Sequence, residues 1–447
     1  MKSGEWLLGL LKKLKPLMSR VGLIDINNFY VSCERIFRPD LQNTPVVVLS
    51  NNDGCVVSRS NEIKKLGVNM ASPYFKIKDE LDKAGAVAFS SNYTLYGDIS
   101  GRVMNILAEY GPIEIYSIDE AFLDVSHVLP SQLIQFGKEI KDRLRRDLSL
   151  PVCVGFAETK TLAKVANEIA KEDSKKGGLV YNGVISLVEN PQIDELLESL
   201  NVADVWGIGR QNVLKVRQKG IYSAKDLKYS SQDWIKANLA ITGLKIVQEL
   251  NGQNVTEITS TSDPRKGIVS SRSFGKPVTT FQGLQEAVST YITRASEKLR
   301  KQKSVASYIS VFVMTNRFDR SNYYSNSQGA TLSIPTNYTP ELVKQAFKLL
   351  EKIYQPGMQY KKAGVAFWGL LDEDKTFQIE DLFTDNQALE KSNLKQKSIS
   401  KAVDKLNRKY GSGSIVLASN GLKQAWKVKS DQRSPNYTTD WDEILRV

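Results

Sequence analysis

The sequence predicts an α+β protein of several domains, and three observations lead there. A chain of 447 residues, 41% hydrophobic and 25% charged, has room for more than one core at an ordinary globular composition. Short apolar runs of strand character alternate with amphipathic helical stretches, the mixture expected of split βαβ units. Charge is segregated as well. The net charge is +12, yet residues 265–370 alone hold 16 Lys and Arg against 5 Asp and Glu. Residues 371–447 hold 13 against 12, and residues 1–264 are balanced. A segment with that excess, interleaved with Asn322, Tyr323, Tyr324 and Asn326, reads as a polyanion-binding module rather than a merely solvated face.

Composition also excludes. No run of about 18 apolar residues exists, so the sequence offers no membrane span. Cys33, Cys55 and Cys153 are scattered without a CxxC pair. That argues against a disulfide framework or a thiolate zinc cluster and suits a reducing cytoplasm. His127 is the one histidine, and it would have to carry any Ser-His-Asp or His-zinc chemistry unaided.

Along the chain, residues 1–17 put Trp6, Leu7, Leu10, Leu11 and Leu14 at helical spacing among basic residues. A membrane-surface anchor is one reading. An upstream extension, with Met18 as the start, is preferred, and the short apolar stretch lacks a secretory cleavage site. VGLIDI from Val21 reads as a buried strand, and PVVVLS at 45–50 as a second, ending in the turn NNDG. EIYSIDEAFLDV at 114–125 reads as two short strands with acidic residues between them. PVCVGFAE at 151–158 is another strand, leading into the helix KTLAKVANEIAK. There Leu162, Val165, Ala166 and Ile169 form the buried face, and Lys160, Lys164 and Lys171 share another. The texture turns helical over 203–227, and polar 251–264 reads as a linker. Helices at 284–303 and 340–354 then alternate with strands at 309–315 and 364–370, and the acidic LDEDK opens a tail at 371.

The chemistry gathers on carboxylates. Phosphoryl transfer uses two divalent ions about 3.5–4 Å apart, and such hard cations want oxygen ligands. Asp25 ends one apolar strand, and Asp119 and Glu120 lie between two others. If those strands are neighbours, three carboxylates converge at one edge. A lone Asp after a strand is usually a cap or turn residue, but an Asp-Glu pair between apolar strands is costly without a cation.

These residues carry a resemblance. DINNFYVSCE at 25–34 and YSIDEAFLDVS at 116–126 resemble the two palm motifs of Y-family DNA polymerases. VVVLSNNDGCVVSRSNEIKKLGV at 46–68, SSNYTLYGDIS at 90–100 and SRSFGKPVTT at 271–280 narrow it to the UmuC type. The resemblance implies a right-hand polymerase: a ferredoxin-like palm (18–30 and 90–183), small fingers (31–89) and a helical thumb (184–255) with a helix-hairpin-helix near 203–227. A linker (256–267), a βαββαβ-like little finger (268–370) and a C-terminal tail (371–447) would come next, after the N-terminal extension 1–17. It implies error-prone translesion synthesis in the SOS response, without proofreading, in the cytoplasm and at the nucleoid when active.

Residue by residue, the resemblance assigns Asp25, Asp119 and Glu120 to two Mg²⁺ ions, with Mn²⁺ able to substitute and the Ile26 carbonyl as an extra ligand. Tyr30 matches the steric gate against a 2′-hydroxyl; taken alone it would read as a core aromatic. Ser58, Lys64 and Lys171 match triphosphate contacts. Where the wider family commonly has Tyr-x-x-Arg, this chain has Asn61 and Lys64, and lysine holds a phosphate only as a point charge. Gly207 and Gly209 in VWGIGRQNVLKV would allow the hairpin turn and present backbone N–H groups to a DNA phosphate. Arg272 would reach DNA from the basic segment. Gln378, Leu382 and Phe383 of QIEDLF resemble the peptide that docks on the bacterial sliding clamp, on an acidic, flexible segment. Implied partners are primer-template DNA, dNTPs, the clamp, a UmuD-like accessory dimer and a RecA filament, with no membrane. Two rivals remain. A nucleotidyl cyclase shares such a palm but has no use for the hairpin, basic domain or clamp peptide. A decayed, DNA-binding scaffold would not need Asp25, Asp119, Glu120 and Tyr30 intact.

Overall fold

The computed structural model describes residues 19–175, 177–178, 180–259, 264–376, 386–411 and 413–445. These fall into two compact units, the first drawn from 1–50, 54–262 and 432–447 and the second from 51–53 and 263–431. In chain order the strands of the first are β1 (Val21–Ile26), β2 (Val46–Leu49), β3 (Val56–Arg59), β4 (Val87–Ser90), β5 (Ile113–Ile115), β6 (Glu120–Asp124), β7 (Val152–Ala157) and β8 (Val184–Ser186). The second holds β9 (Ile268–Val278), β10 (Ser304–Met314), β11 (Ser325–Thr336) and β12 (Tyr360–Asp372).

The first unit is organised by a sheet of order β5-β6-β1-β7-β8. β1 is central, antiparallel to β6 and β7, and all six of its residues are buried. Both faces are covered, which is why VGLIDI is an unbroken apolar run instead of an alternating one. Ile24 and Ile26 pack with Leu95, Val103, Ile140 and Leu144 of the helices Tyr93–Ala108 and Leu133–Leu148. Val21 and Leu23 share the opposite core with Leu162 and Val165 of helix Lys160–Lys175. Gly155 sets how that helix lies. A Cβ there would stand 2.4 Å from the Asn167 backbone nitrogen and 2.7 Å from the Ala163 carbonyl oxygen. Only glycine lets the helix rest directly on β7, and its lysines are positioned accordingly. Lys160 is itself buried, although its spacing suggested a face apart from the core.

A smaller sheet of order β3-β2-β4, with β2 parallel to β4, has its own core of Val47, Leu49, Val56, Ile63, Val68 and Leu81. Helices Ile193–Ser199, Arg210–Gln218, Ala224–Lys228 and Gln232–Leu250 come after β8 and join the core that holds Val21 and Leu23.

The second unit runs βαββαβ, with an antiparallel sheet of order β11-β10-β12-β9. Helices Phe281–Lys301 and Thr339–Ile353 cover one face. β12 extends to Asp372, so the first acidic residue of LDEDK closes the sheet rather than opening a tail, and Glu373 and Asp374 begin the helical turn Glu373–Thr376. Part of the tail packs on this unit as well. In helix Asn386–Tyr410, Asp404 accepts two hydrogen bonds from Arg300, each 2.7 Å, and Trp426 is buried beside Phe274 and Tyr291. The expected flexible peptide, residues 378–383, lies outside the described residues.

Candidate active site

Asp25 and Glu120 are direct partners across β1 and β6, and the Ile26 N–H donates to the Asp119 carbonyl at 3.0 Å. Sheet register therefore does what a spacing of many residues along the chain cannot. Helix Lys160–Lys175 lays an ammonium on each of three carboxylates of this region. Lys171 donates to Asp25 at 2.7 Å, Lys164 to Glu120 at 2.8 Å and Lys160 to Glu114 at 2.6 Å. Lys164 also stands 4.4 Å from the centre of the Tyr116 ring.

Burial dominates the electrostatics. Asp25 is 6% exposed; its desolvation, aided by the hydrogen bond with Glu120, pushes its pKa up to about 8 against the pull of Lys171. Burial acts the same way on Glu120, but the Asp25 hydrogen bond and the Lys164 ammonium outweigh it and hold Glu120 below its ordinary value. Lys171 is raised, because attraction to Asp25 exceeds the cost of burying the ammonium. Asp25 and Glu120 thus share one proton across the register pair, in a poorly solvated place and with an ammonium group on each.

The third carboxylate is arranged otherwise. Ser117 donates its hydroxyl to Asp119 Oδ1 at 2.6 Å. Among the described residues no three acidic, histidine or cysteine side chains stand close enough to hold a metal ion. Register brings Asp25 and Glu120 together as expected, while the Asp119 carboxylate does not join them. Like charges repel, and here ammonium and hydroxyl groups serve as the carboxylates' partners. The donor set still fits a hard divalent cation: all its atoms are oxygens, and Asp25, Glu120 and the Ile26–Asp119 backbone meet at one sheet end.

Tyr30 is half-buried, at the start of helix Phe29–Phe37. Its ring stacks on Tyr96, with centroids 4.6 Å apart and planes within 14°, and meets the edge of Tyr93 at 5.9 Å. Burial, then Tyr93 and Asp119, push its hydroxyl up to about 12, so it stays a neutral phenol. The two further tyrosines had a signal in the sequence: three residues apart in SSNYTLYGDIS, they lie on one helix face. Ser58 bonds the backbone of the same helix start, with the Val31 N–H donating to its Oγ and the Oγ donating to the Asn28 carbonyl, both at 3.4 Å. Asn61 accepts from the Asn28 amide at 3.1 Å. Lys64 is held below its ordinary value by burial and then by Lys175, Arg59 and Lys171, a cluster of like charges that an anion would relieve. Arg59 and Lys175 were missed in the sequence: Arg59 stands in the stretch 46–68 next to Ser58 but was given no role, and Lys175 lies in no motif.

In the turn before helix Arg210–Gln218, Gly207 has φ +88°, and a Cβ would sit 2.7 Å from Ile246, so glycine is required. Gly209 is not needed for the turn. Its φ of −73° is open to any residue, and it caps the helix with free space around its Cα. In the second unit, exposed Arg272 lies on β9. Burial and then Arg272 depress Arg294, and burial followed by Arg265, Arg272 and Arg294 depresses Lys298. This is a crowded cationic group. No helix among the described residues is long and apolar enough to cross a membrane.

The five-stranded sheet with its carboxylate pair, the helical region after it and the basic βαββαβ unit define a class, the right-hand polymerases of the Y-family. A solved chimera of the Y-family DNA polymerases Dbh and Dpo4 matches with a TM-score of 0.62 at 20% identity, over 79% of this chain and 99% of that one, a likeness of fold. The impB/mucB/samB family model matches residues 24–168, the C-terminal domain of that family residues 265–380, and a domain of unknown function residues 397–447. Protein UmuC of Salmonella typhimurium is 41% identical, over 95% of this chain and 99% of that protein. DNA polymerase IV 1 of Bacillus subtilis is 25% identical, over 93% and 97%. The chain belongs to the impB/mucB/samB family. It is a translesion DNA polymerase, binding template DNA and nucleotides, and its family works with divalent metal ions.

Proposed function

We propose that Asp25, Asp119 and Glu120, with the Ile26 carbonyl, hold two Mg²⁺ ions, for which Mn²⁺ can substitute, and that nucleotidyl transfer takes place there. The observation carrying this is the in-register pairing of buried Asp25 with half-buried Glu120, each met by a lysine. Bound ions would activate the primer hydroxyl and neutralise charge on the triphosphate. The rest falls to the chain. Lys171, released from Asp25, joins Lys64 and Ser58 in cradling the triphosphate, with Arg59 and Lys175 adding positive potential. Tyr30 lies under the incoming sugar and excludes a 2′-hydroxyl by steric clash. Gly207 and Gly209 offer backbone N–H groups to a template or primer phosphate, and Arg272 with its cationic neighbours binds the duplex backbone.

We further propose the modules palm (18–30, 90–183), fingers (31–89), thumb (184–255), little finger (268–370) and tail. The likeness of Gln378, Leu382 and Phe383 to a clamp-docking peptide supports recruitment to the sliding clamp. Kinship to UmuC supports work beside a UmuD-like dimer and a RecA filament, in the cytoplasm and at the nucleoid. The test is primer extension with Mg²⁺ on templates with and without an abasic site. Extension across the lesion is expected, and the assignment falls if Asp25→Ala extends as well as the parent.

A further inference from the structure

Late in its course the chain returns to the first unit. Ser90 and Arg433 form a bridge, the Ser90 N–H donates to the Gln432 carbonyl at 3.1 Å, and the Gln432 N–H donates to Ser90 Oγ at 3.0 Å. Asn92 caps helix Tyr93–Ala108, accepting from the Leu95 N–H. Its amide also donates to the Ser434 carbonyl at 2.9 Å and the Pro435 carbonyl at 3.2 Å. Tyr437 stacks on Phe37, with centroids 4.5 Å apart. Residues 432–437 are thus seated in a fitted slot.

At its centre is a carboxylate that the proposed chemistry does not use. Glu34 is fully buried, on the helix that also carries Tyr30. Its Oε1 accepts from the Tyr96 hydroxyl at 2.5 Å and from the Ser434 hydroxyl at 3.0 Å, and no cation among the described residues pairs with it. Tyr96 is fully buried, and its ring is the one stacked on Tyr30. A continuous path therefore runs from Ser434 through Glu34 and Tyr96 to the face of Tyr30.

We propose that Ser434, Glu34 and Tyr96 are positioning residues for Tyr30, so that the C-terminal segment 432–437 sets how strictly the polymerase rejects ribonucleotides. This rests on Tyr30 being the gate. A planar ring can exclude a hydroxyl only if it holds its place, and each hydrogen bond in the path removes freedom from the ring beneath it. Displacing the tail segment loosens the gate without touching a residue at the reacting atoms.

The readout is the ratio of ribo- to deoxynucleotide insertion by the full-length chain. Ser434→Ala and Tyr96→Phe should each raise it by about 2- to 10-fold, the scale of one lost hydrogen bond. Glu34→Gln keeps a carbonyl acceptor for both hydroxyls and should leave the ratio within about 2-fold of the parent. In a Tyr30→Ala background neither Ser434→Ala nor Tyr96→Phe should raise it further, since coupled residues act non-additively. An unchanged ratio in Ser434→Ala and Tyr96→Phe, while Tyr30→Ala raises it, overturns the inference and leaves the gate standing. Equal increases with and without Tyr30 overturn it too, because the effect then bypasses the ring. If Tyr30→Ala itself changes nothing, the gate reading fails first and this one with it.

Discussion

Two carboxylates in the first unit, Asp25 and Glu34, are buried to a similar degree and are handled in opposite ways. Asp25 ends a strand and is met by the Lys171 ammonium, with Glu120 directly across the sheet. Glu34 lies inside a helix and is met by hydroxyls of Tyr96 and Ser434. Burial pushes both up, Asp25 to about 8 and Glu34 to about 7. A carboxylate partnered by displaceable ammonium groups can exchange them for a metal ion. One partnered by neutral hydroxyls cannot gain much by ionising and is suited to bracing. Burial alone does not separate the two roles; the partners do.

The largest effect tests that division directly. Asp25→Ala, or Asp119→Ala with Glu120→Ala, should lower nucleotide incorporation by at least about 10³-fold, as expected when metal positioning is lost. DNA binding should stay within about 2-fold, because the excess charge lies in 265–370. Single-nucleotide incorporation and DNA-binding titrations check both parts, and appreciable extension by either variant would dispose of the site.

Next in size is sugar selection. Tyr30→Ala should raise ribonucleotide insertion by roughly 10- to 100-fold, the range that a pocket's steric discrimination supplies. Insertion measured with matched ribo- and deoxynucleotides decides it, and an unchanged ratio would return Tyr30 to the role of core aromatic.

How much of the molecule was legible beforehand depends on the range of its interactions. The run VGLIDI announced a buried strand and the Asp-Glu pair an acidic strand start, because apolar runs and adjacent charges are local signals. Strands such as Val184–Ser186 and Ser325–Thr336 were not read, since short or polar strands carry little periodicity. The Lys171–Asp25 and Lys164–Glu120 pairs depend on how closely a helix lies on β7, which Gly155 decides and no helical pattern reveals. The turn of the Asp119 carboxylate toward Ser117 is a matter of local hydrogen bonding. Ser434 reaching Glu34 is a contact across 400 positions, invisible to any window.

The tail offers a smaller effect. Residues 432–437 are seated in the first unit, whereas Gln378, Leu382 and Phe383 are proposed to engage a separate partner. Changing Leu382 and Phe383 together to Ala should leave distributive synthesis on short primers unchanged. It should remove stimulation by a loaded clamp, on the order of 10-fold, by abolishing the effective concentration that a tether provides. Clamp stimulation that survives the double change would move the tether elsewhere in the chain.

The smallest effect on synthesis, and the sharpest on the contrast between the two carboxylates, concerns pH. Burial raises Glu34 from 4.5 to about 7, against the opposing hydrogen bonds of Tyr96 and Ser434. The fold therefore favours the protonated form. Its contribution to stability is complete below about 4.5 and is lost as pH rises through about 7, amounting to about 3 kcal/mol over that window. Glu34→Gln is neutral at every pH and should remove this slope. Thermal midpoints of parent and variant should therefore converge below about pH 4.5, and the variant should unfold several degrees higher at pH 8. The Tyr96 and Ser434 hydroxyls keep an acceptor in the amide, so incorporation by the variant should remain within about 2-fold of the parent. Parallel pH profiles for the two proteins would mean that Glu34 is ionised in the fold throughout. Its hydroxyl partners would then suffice to hold a buried charge, and the contrast with Asp25 would lie in geometry rather than in partner chemistry.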